Sequence, residues 1–154
     1  MGNGSTSNSW VPIAVNTAGV LAGKTLVQIG SSLGILDNAA NRASTCALDN
    51  AGKVYCWGYN GYGQLGNASN NNSFLPVAVS DAGVLASKVL TKLSVGDTHV
   101  CTLDSEGKAY CWGRNNYGQL GNGSTNDSNT PVAGREIGER RVGKECRSRW
   151  SPYH

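Results

Sequence analysis

Apolar residues in this chain come in short runs rich in β-formers, and Gly, Asn, Asp and Ser separate the runs. Thr45–Leu48 and Val54–Trp57 read as two strands, with Asp49-Asn-Ala-Gly52-Lys53 between them. Asp opens a type I turn and Gly supplies the left-handed residue that closes a bulged hairpin. Such a turn sets Leu48 opposite Val54 and Cys46 opposite Cys56. Ala47 with Tyr55 and Thr45 with Trp57 then point to the other side. Both sides are largely apolar, so this hairpin must be sandwiched between neighbours. Thr102–Leu103 and Ala109–Trp112 repeat the arrangement around Asp104-Ser-Glu-Gly107-Lys108. Further strands are expected at Leu26–Ile29, Val89–Ser94, Pro12–Val15 and Pro76–Val79, about four per unit.

The repetition is exact enough to measure. A shift of 55 residues lays Cys46–Ala78 on Cys101–Ala133 with 22 identities in 33 positions. The shared signature comprises Trp57, Gly58, Asn60, Gly63, Gln64, Leu65 and Gly66, matched by Trp112, Gly113, Asn115, Gly118, Gln119, Leu120 and Gly121. A shift of 64 matches Gly2-Asn3, Pro12, Ala18–Ala22 and Lys24 with Gly66-Asn67, Pro76, Ala82–Ala86 and Lys88. The nine extra residues fall within Gly30–Ala43, read as a loop insertion. Self-similarity at this period means a propeller, solenoid or array. The chain divides into a partial unit at 2–44, a repeat at 45–99 and an incomplete repeat at 100–134, together 1–134.

The signature Tyr110-Cys-Trp-Gly-Arg-Asn-Asn-Tyr-Gly-Gln-Leu-Gly-Asn122, preceded by His99-Val-Cys-Thr-Leu103 and followed by Pro131-Val132, resembles the regulator of chromosome condensation repeat. The resemblance covers about residues 2–134. It implies an all-β partial β-propeller with two to three four-stranded antiparallel blades, since family members form seven-bladed rings of roughly fifty-residue repeats. This chain differs in holding about two and a half repeats, in having Ser44 where the second copy has His99, and in the insertion. The missing blades of such a ring are implied partners, because two and a half blades leave apolar faces uncovered. The chain alone is therefore expected to associate.

Charge then narrows function. The formal net charge is +3, yet residues 1–134 carry seven positive and seven negative side chains. A neutral body has no footprint for a phosphate backbone, so no nucleic-acid partner is expected. All the excess lies in residues 135–154. The stretch Arg141–His154 resembles the conceptual translation of a sequencing-library adapter, so the tail with Cys146, Trp150 and His154 reads as non-native or disordered and is set aside. No apolar run is long enough for a membrane helix, and Met1–Ser5 shows no signal peptide.

Candidate chemistry is sparse. Cys46/Cys56 and Cys101/Cys111 lie directly opposite across hairpins, where Cα atoms are roughly 4.5–5.5 Å apart, a spacing that accepts a disulfide. Such a bridge stabilises by about 3 kcal/mol. Repetition of the pair favours disulfides and an oxidising compartment. Buried free thiols and a metal site on His99, Cys101 and Cys111 are the alternatives, the latter short of a fourth ligand. Gly58–Gly66 lacks phosphate-cradle spacing and a following helix. Its glycines read as turn positions, and Gln64, Gln119, Asn60 and Asn115 as side chains that satisfy loop backbone. Trp57 and Trp112 read as core rather than as a sugar-stacking pair. His99 reads as packed and hydrogen-bonded within its blade. The Asn-x-Ser triplets of 67–73 and 122–130 are expected by chance in Asn/Ser-rich loops.

These residues predict a binding scaffold, with no catalytic residue, metal or cofactor. Loops Gly30–Ala43, Asn67–Phe74 and Gly121–Thr130 would carry recognition of a protein or surface ligand, by hydrogen bonding rather than ionic contact. The Cys pairs and the Asn/Ser/Thr loops predict an exported or surface-attached parent. The alternative implied by the resemblance is guanine-nucleotide exchange on the small GTPase Ran with chromatin binding, the activity of the family's namesake. No residue here maps to the wedge it uses.

Overall fold

Among the described residues, eight strands form two separate sheets. The computed structural model of the chain describes residues 1–34 and 42–135. The first sheet contains β1 (Leu26–Ser31), β2 (Ser44–Asp49), β3 (Val54–Gly58) and β4 (Ser73–Ala78). The second contains β5 (Leu90–Val95), β6 (His99–Asp104), β7 (Ala109–Gly113) and β8 (Ser128–Ala133). Each runs antiparallel in sequence order. Single 3-10 turns at Gly19–Leu21 and Gly83–Leu85 precede the two sheets. The architecture is an all-β partial propeller, each sheet one blade.

The hairpin register is the expected one: Leu48 pairs with Val54, Cys46 with Cys56, Ala47 with Tyr55 and Thr45 with Trp57. The second hairpin repeats it. Asp49 holds the turn, its Oδ1 accepting the N–H groups of Ala51 at 3.0 Å and Lys53 at 2.8 Å. Its Oδ2 accepts the Tyr55 hydroxyl at 3.1 Å. Asp104 does the same for Glu106, Lys108 and Tyr110. Lys24 and Lys88 lie 4.0 and 3.6 Å from these carboxylates. Burial and the Asp49 carboxylate push the Tyr55 hydroxyl up to about 12. Burial alone would raise the Asp104 carboxyl. The Lys108 N–H, the Tyr110 hydroxyl, the Glu106 N–H and the Lys88 ammonium outweigh it and hold the group below its ordinary range.

The core lies between the blades. Cys46, Leu48, Val54 and Cys56 on the back of the first blade meet Leu90, Leu93, Val100, Tyr110 and Trp112 on the front of the second. Trp112 is fully buried and Trp57 is 3% exposed, in keeping with the core reading. Cys46 is bonded to Cys56 and Cys101 to Cys111, each pair with Cα atoms 4.1 Å apart.

Two expectations need correction. Pro12–Val15 forms no strand. In both complete sheets the fourth strand bonds to a third, and Pro12–Val15 has no such strand beside it among the described residues. His99 packs over Gly96, where a Cβ would come within 2.7 Å of its ring. No hydrogen bond of its imidazole is found among the described residues, so the ring is packed rather than hydrogen-bonded there. Half of the Gly30–Ala43 insertion, residues 35–41, and the tail beyond Arg135 lie outside the described residues.

Candidate protein-interaction rim

Strand direction sorts the loops to two ends. The β1–β2 and β3–β4 loops emerge at one rim, together with their second-blade equivalents. The tight β2–β3 and β6–β7 turns occupy the other end.

One buried amide organises each of the β3–β4 and β7–β8 loops. Asn60 Nδ2 donates to Ser69 O at 2.8 Å, Asn71 O at 3.0 Å and Asn67 Oδ1 at 3.3 Å, while its Oδ1 accepts the Leu65 N–H at 2.9 Å. Asn115 makes the corresponding four bonds. Both side chains are fully buried, so every amide group must be satisfied internally. Gln64 Oε1 accepts the Tyr62 N–H and Gln119 Oε1 the Tyr117 N–H, both at 2.9 Å. Gln119 Nε2 reaches Asn116 Oδ1 at 3.5 Å. Gly61 stands at the equivalent place in the first blade, and there Gln64 Nε2 is buried without a partner among the described residues. Trp112 Nε1 donates to Gln64 O at 2.9 Å and so ties the second blade to the first blade's loop. Leu65 and Leu120 are buried beneath these loops.

On this frame sits a cluster that the sequence reading missed. The Arg42 guanidinium lies 5.9 Å from the ring centroids of both Tyr59 and Tyr62, and Arg42 Nη1 donates to the Tyr62 hydroxyl at 3.0 Å. Arg114, from the second blade, stacks on the Tyr62 ring at 4.7 Å. Tyr59 and Tyr62 meet edge to face at 6.1 Å. Tyr117, the counterpart of Tyr62, is 87% exposed. A guanidinium stacked as that of Arg114 is keeps its N–H fork for carboxylates and carbonyls, and Tyr adds rigid amphipathic area. Arg and Tyr are enriched where protein interfaces concentrate their energy. The rim is therefore partly cationic, which corrects the expectation of purely hydrogen-bonding loops. The available signal was that Arg114 takes the repeat position of Tyr59.

Other candidates resolve simply. Both sulfurs of each Cys pair are committed to disulfides, which removes the metal alternative at His99, Cys101 and Cys111. No cluster of three metal-ligating side chains occurs among the described residues. Gly58, Gly63 and Gly66, with Gly113, Gly118 and Gly121, all have positive φ, and the chain after Gly66 runs on into a strand, not a helix. Burial holds the His99 imidazole below its ordinary value, against the opposing pull of Asp97. No helix among the described residues is long and apolar enough to cross a membrane.

Residues 51–103 and 106–142 match the regulator of chromosome condensation (RCC1) repeat. Residues 90–119 also match a second description of that repeat. The chain belongs to the RCC1 repeat family. The ultraviolet-B receptor UVR8 of Arabidopsis thaliana is 35% identical over 88 residues, covering 56% of this chain and 19% of that protein. The human E3 ubiquitin-protein ligase HERC2 is 29% identical over 126 residues, covering 79% of this chain and 2% of the ligase. The chain thus spans no more than a fifth of the curated relatives named. Among solved structures, human WBSCR16 superposes with a TM-score of 0.60 at 23% identity, over 75% of this chain and 27% of that one. Yeast RCC1 (Prp20), solved bound to Kap60, gives 0.51 at 25% identity, over 62% of this chain and 24% of that one. In these RCC1 repeats Asn60 and Asn115 staple the β3–β4 and β7–β8 loops.

Proposed function

We propose that this chain is the rim-presenting part of a protein-binding scaffold whose recognition is centred on Arg42, Tyr59, Tyr62 and Arg114. The observation that carries the reading is the stacking of Arg114 from one blade on Tyr62 of the other. That contact joins two loops into one surface suited to carboxylates and backbone carbonyls. The loops Asn67–Phe74 and Gly121–Thr130 flank it and extend the contact area. The Arg42→Ala/Arg114→Ala double variant tests this on a protein array, with Lys53→Ala at the opposite end as control. Binding signals should vanish with the rim variant and persist with Lys53→Ala. Signals that survive the rim variant overturn the proposal.

The parent is exported or surface-attached on this reading, and the two cross-strand disulfides support it. Thiol titration of unreduced, denatured protein should find at most one reactive cysteine, Cys146; five would remove the basis for export. Guanine-nucleotide exchange is second, since it rests on family membership alone and yeast Prp20 has been solved in a study of its binding to Gsp1p and histones. Acceleration of nucleotide release from a small GTPase by the parent would reverse this ranking.

A further inference from the structure

The back of the second blade carries nearly the same residues as the back of the first, with Ala109 in place of Val54, and no blade among the described residues lies on it. Cys46, Leu48, Val54 and Cys56 are at most 3% exposed beneath the second blade. Their equivalents Cys101 and Leu103 are only half-buried and Ala109 is exposed. A groove of about 330 Å³ opens beside them. The glycines show the same contrast. A Cβ on Gly66 would come within 2.7 Å of the Trp112 indole, and one on Gly52 within 2.7 Å of Leu90 N. Neither Gly121 nor Gly107 has a neighbour within 4 Å of that position.

The opposite end of the chain holds the matching half. Leu26 and Ile29 of β1 are 38% and 61% exposed, whereas Leu90 and Leu93, their equivalents in β5, are 5% and 6% exposed against the first blade. Trp57 rests on Gly2 as Trp112 rests on Gly66. The Gly4 N–H donates to Phe74 O at 3.0 Å, as Ala68 N–H does to Asn129 O at 2.9 Å. Asn16 N–H bonds Gly2 O at 2.8 Å, matching Ser80 N–H to Gly66 O at 2.8 Å and Arg135 N–H to Gly121 O at 2.7 Å. Residues 2–16 therefore fill, on the first blade, the place that 66–80 fill on the second. They are also close in sequence to 121–135: Gly2-Asn-Gly-Ser-Thr6 and Gly121-Asn-Gly-Ser-Thr125 are identical.

We propose that the chain adds to a second copy of itself head to tail, the front of one copy's first blade seating on the back of the other's second blade. In that step Trp57 leaves its own Gly2 for Gly121 of the neighbour. The seat is chemically equivalent, so the exchange itself is near neutral. The net gain is the apolar area buried over Leu103, Cys101 and Ile29. The contact is heterologous and leaves a free face at each end, so association proceeds in steps with concentration rather than stopping at a dimer.

One difference tunes this contact. Between the blades Gln28 acts as an extra strand residue: its Nε2 donates to Leu93 O at 2.6 Å and its Oε1 accepts the Leu93 N–H at 3.0 Å. Lys92 takes the Gln28 position in the second blade. Its ammonium donates but cannot accept, so an incoming Ile29 N–H finds no partner. Self-addition is accordingly weaker than the internal interface, and Lys92→Gln should restore the clamp.

Sedimentation velocity of the full chain across a wide concentration range tests this, with far-UV circular dichroism to verify the fold. Wild type should show a concentration-dependent series. Leu103→Lys should weaken association at least ~tenfold and Lys92→Gln should tighten it about three- to tenfold, as one regained hydrogen bond allows. A monomeric wild type, or a series that neither substitution moves, overturns the proposal. The Lys92→Gln gain cannot arise from misfolding.

Discussion

The back of the first blade lies beneath the second blade, while the back of the second lies open among the described residues, although their hairpins are nearly the same in sequence. Cys46 is fully buried while Cys101, its counterpart, is half-exposed. Tyr62 carries a stacked arginine, and Tyr117 carries none among the described residues. Gly66 and Gly63 are packed by Trp112 and Asn129, whereas Gly121 is open and Gly118 nearly so. The same residues therefore have different environments, and the difference isolates what a neighbouring blade contributes. Within a blade, the Asn60 and Asn115 networks match bond for bond. Local order in an RCC1 repeat thus belongs to the repeat, while burial belongs to the pair.

Four measurements can break or sharpen this contrast. The largest effect is expected at the indoles. Trp112→Ala removes a fully buried ring between two complete blades and should cost about 3–5 kcal/mol in urea unfolding. Trp57→Ala, whose ring is covered by residues 2–4, should cost at least ~1 kcal/mol less, because no bond like that from Trp112 to Gln64 is lost. Equal losses would mean that the N-terminal segment covers as well as a whole blade.

Next come the loop staples. Asn60→Ala and Asn115→Ala each strip four hydrogen bonds and leave buried carbonyls unpaired, so each should cost about 2–3 kcal/mol. The two values should agree closely. A large gap between them would show that loop order depends on the neighbour after all.

The disulfides should differ in accessibility rather than in strength. Brief reduction followed by alkylation and mass spectrometry should open Cys101–Cys111 at least ~tenfold faster than Cys46–Cys56, because access limits thiol attack. Equal rates would show that the shared face opens as often as the free one.

The smallest effect is that of pH. The folded state holds the His99 imidazole below its ordinary value through burial, so the unfolded chain binds the proton more readily. Stability is fully present above the unfolded value near 6.5 and declines as pH falls through the window beneath it. His99 is only partly buried and so is partly screened by solvent, and the fall in Tm between pH 7 and 5 should be only ~1 °C. His99→Ser, which installs the first blade's residue at that position, should flatten the curve. A Tm that rises on acidification contradicts the assignment.

Much of the site could be read without coordinates, for physical reasons that differ by residue. Cys46–Cys56 was legible because hairpin register follows from turn length. The roles of Asn60 and Gln64 were legible because buried amides in a glycine-rich loop have only backbone to satisfy. Pro12–Val15 misled because a strand needs a partner edge as well as a β-prone composition. The Arg42–Tyr59–Tyr62–Arg114 cluster was invisible because Arg42 and Arg114 lie far apart in sequence and meet only when blades stack.

Alternation, turn chemistry and the 55-residue period determined the strands, their pairing, the disulfide partners and the family, since all of these arise from contacts within one repeat. Which face is covered, which tyrosine is capped and which glycine is crowded depended on the tertiary structure. Those properties come from packing one blade on another, and near-identical repeats cannot encode their own position at an end or in the middle.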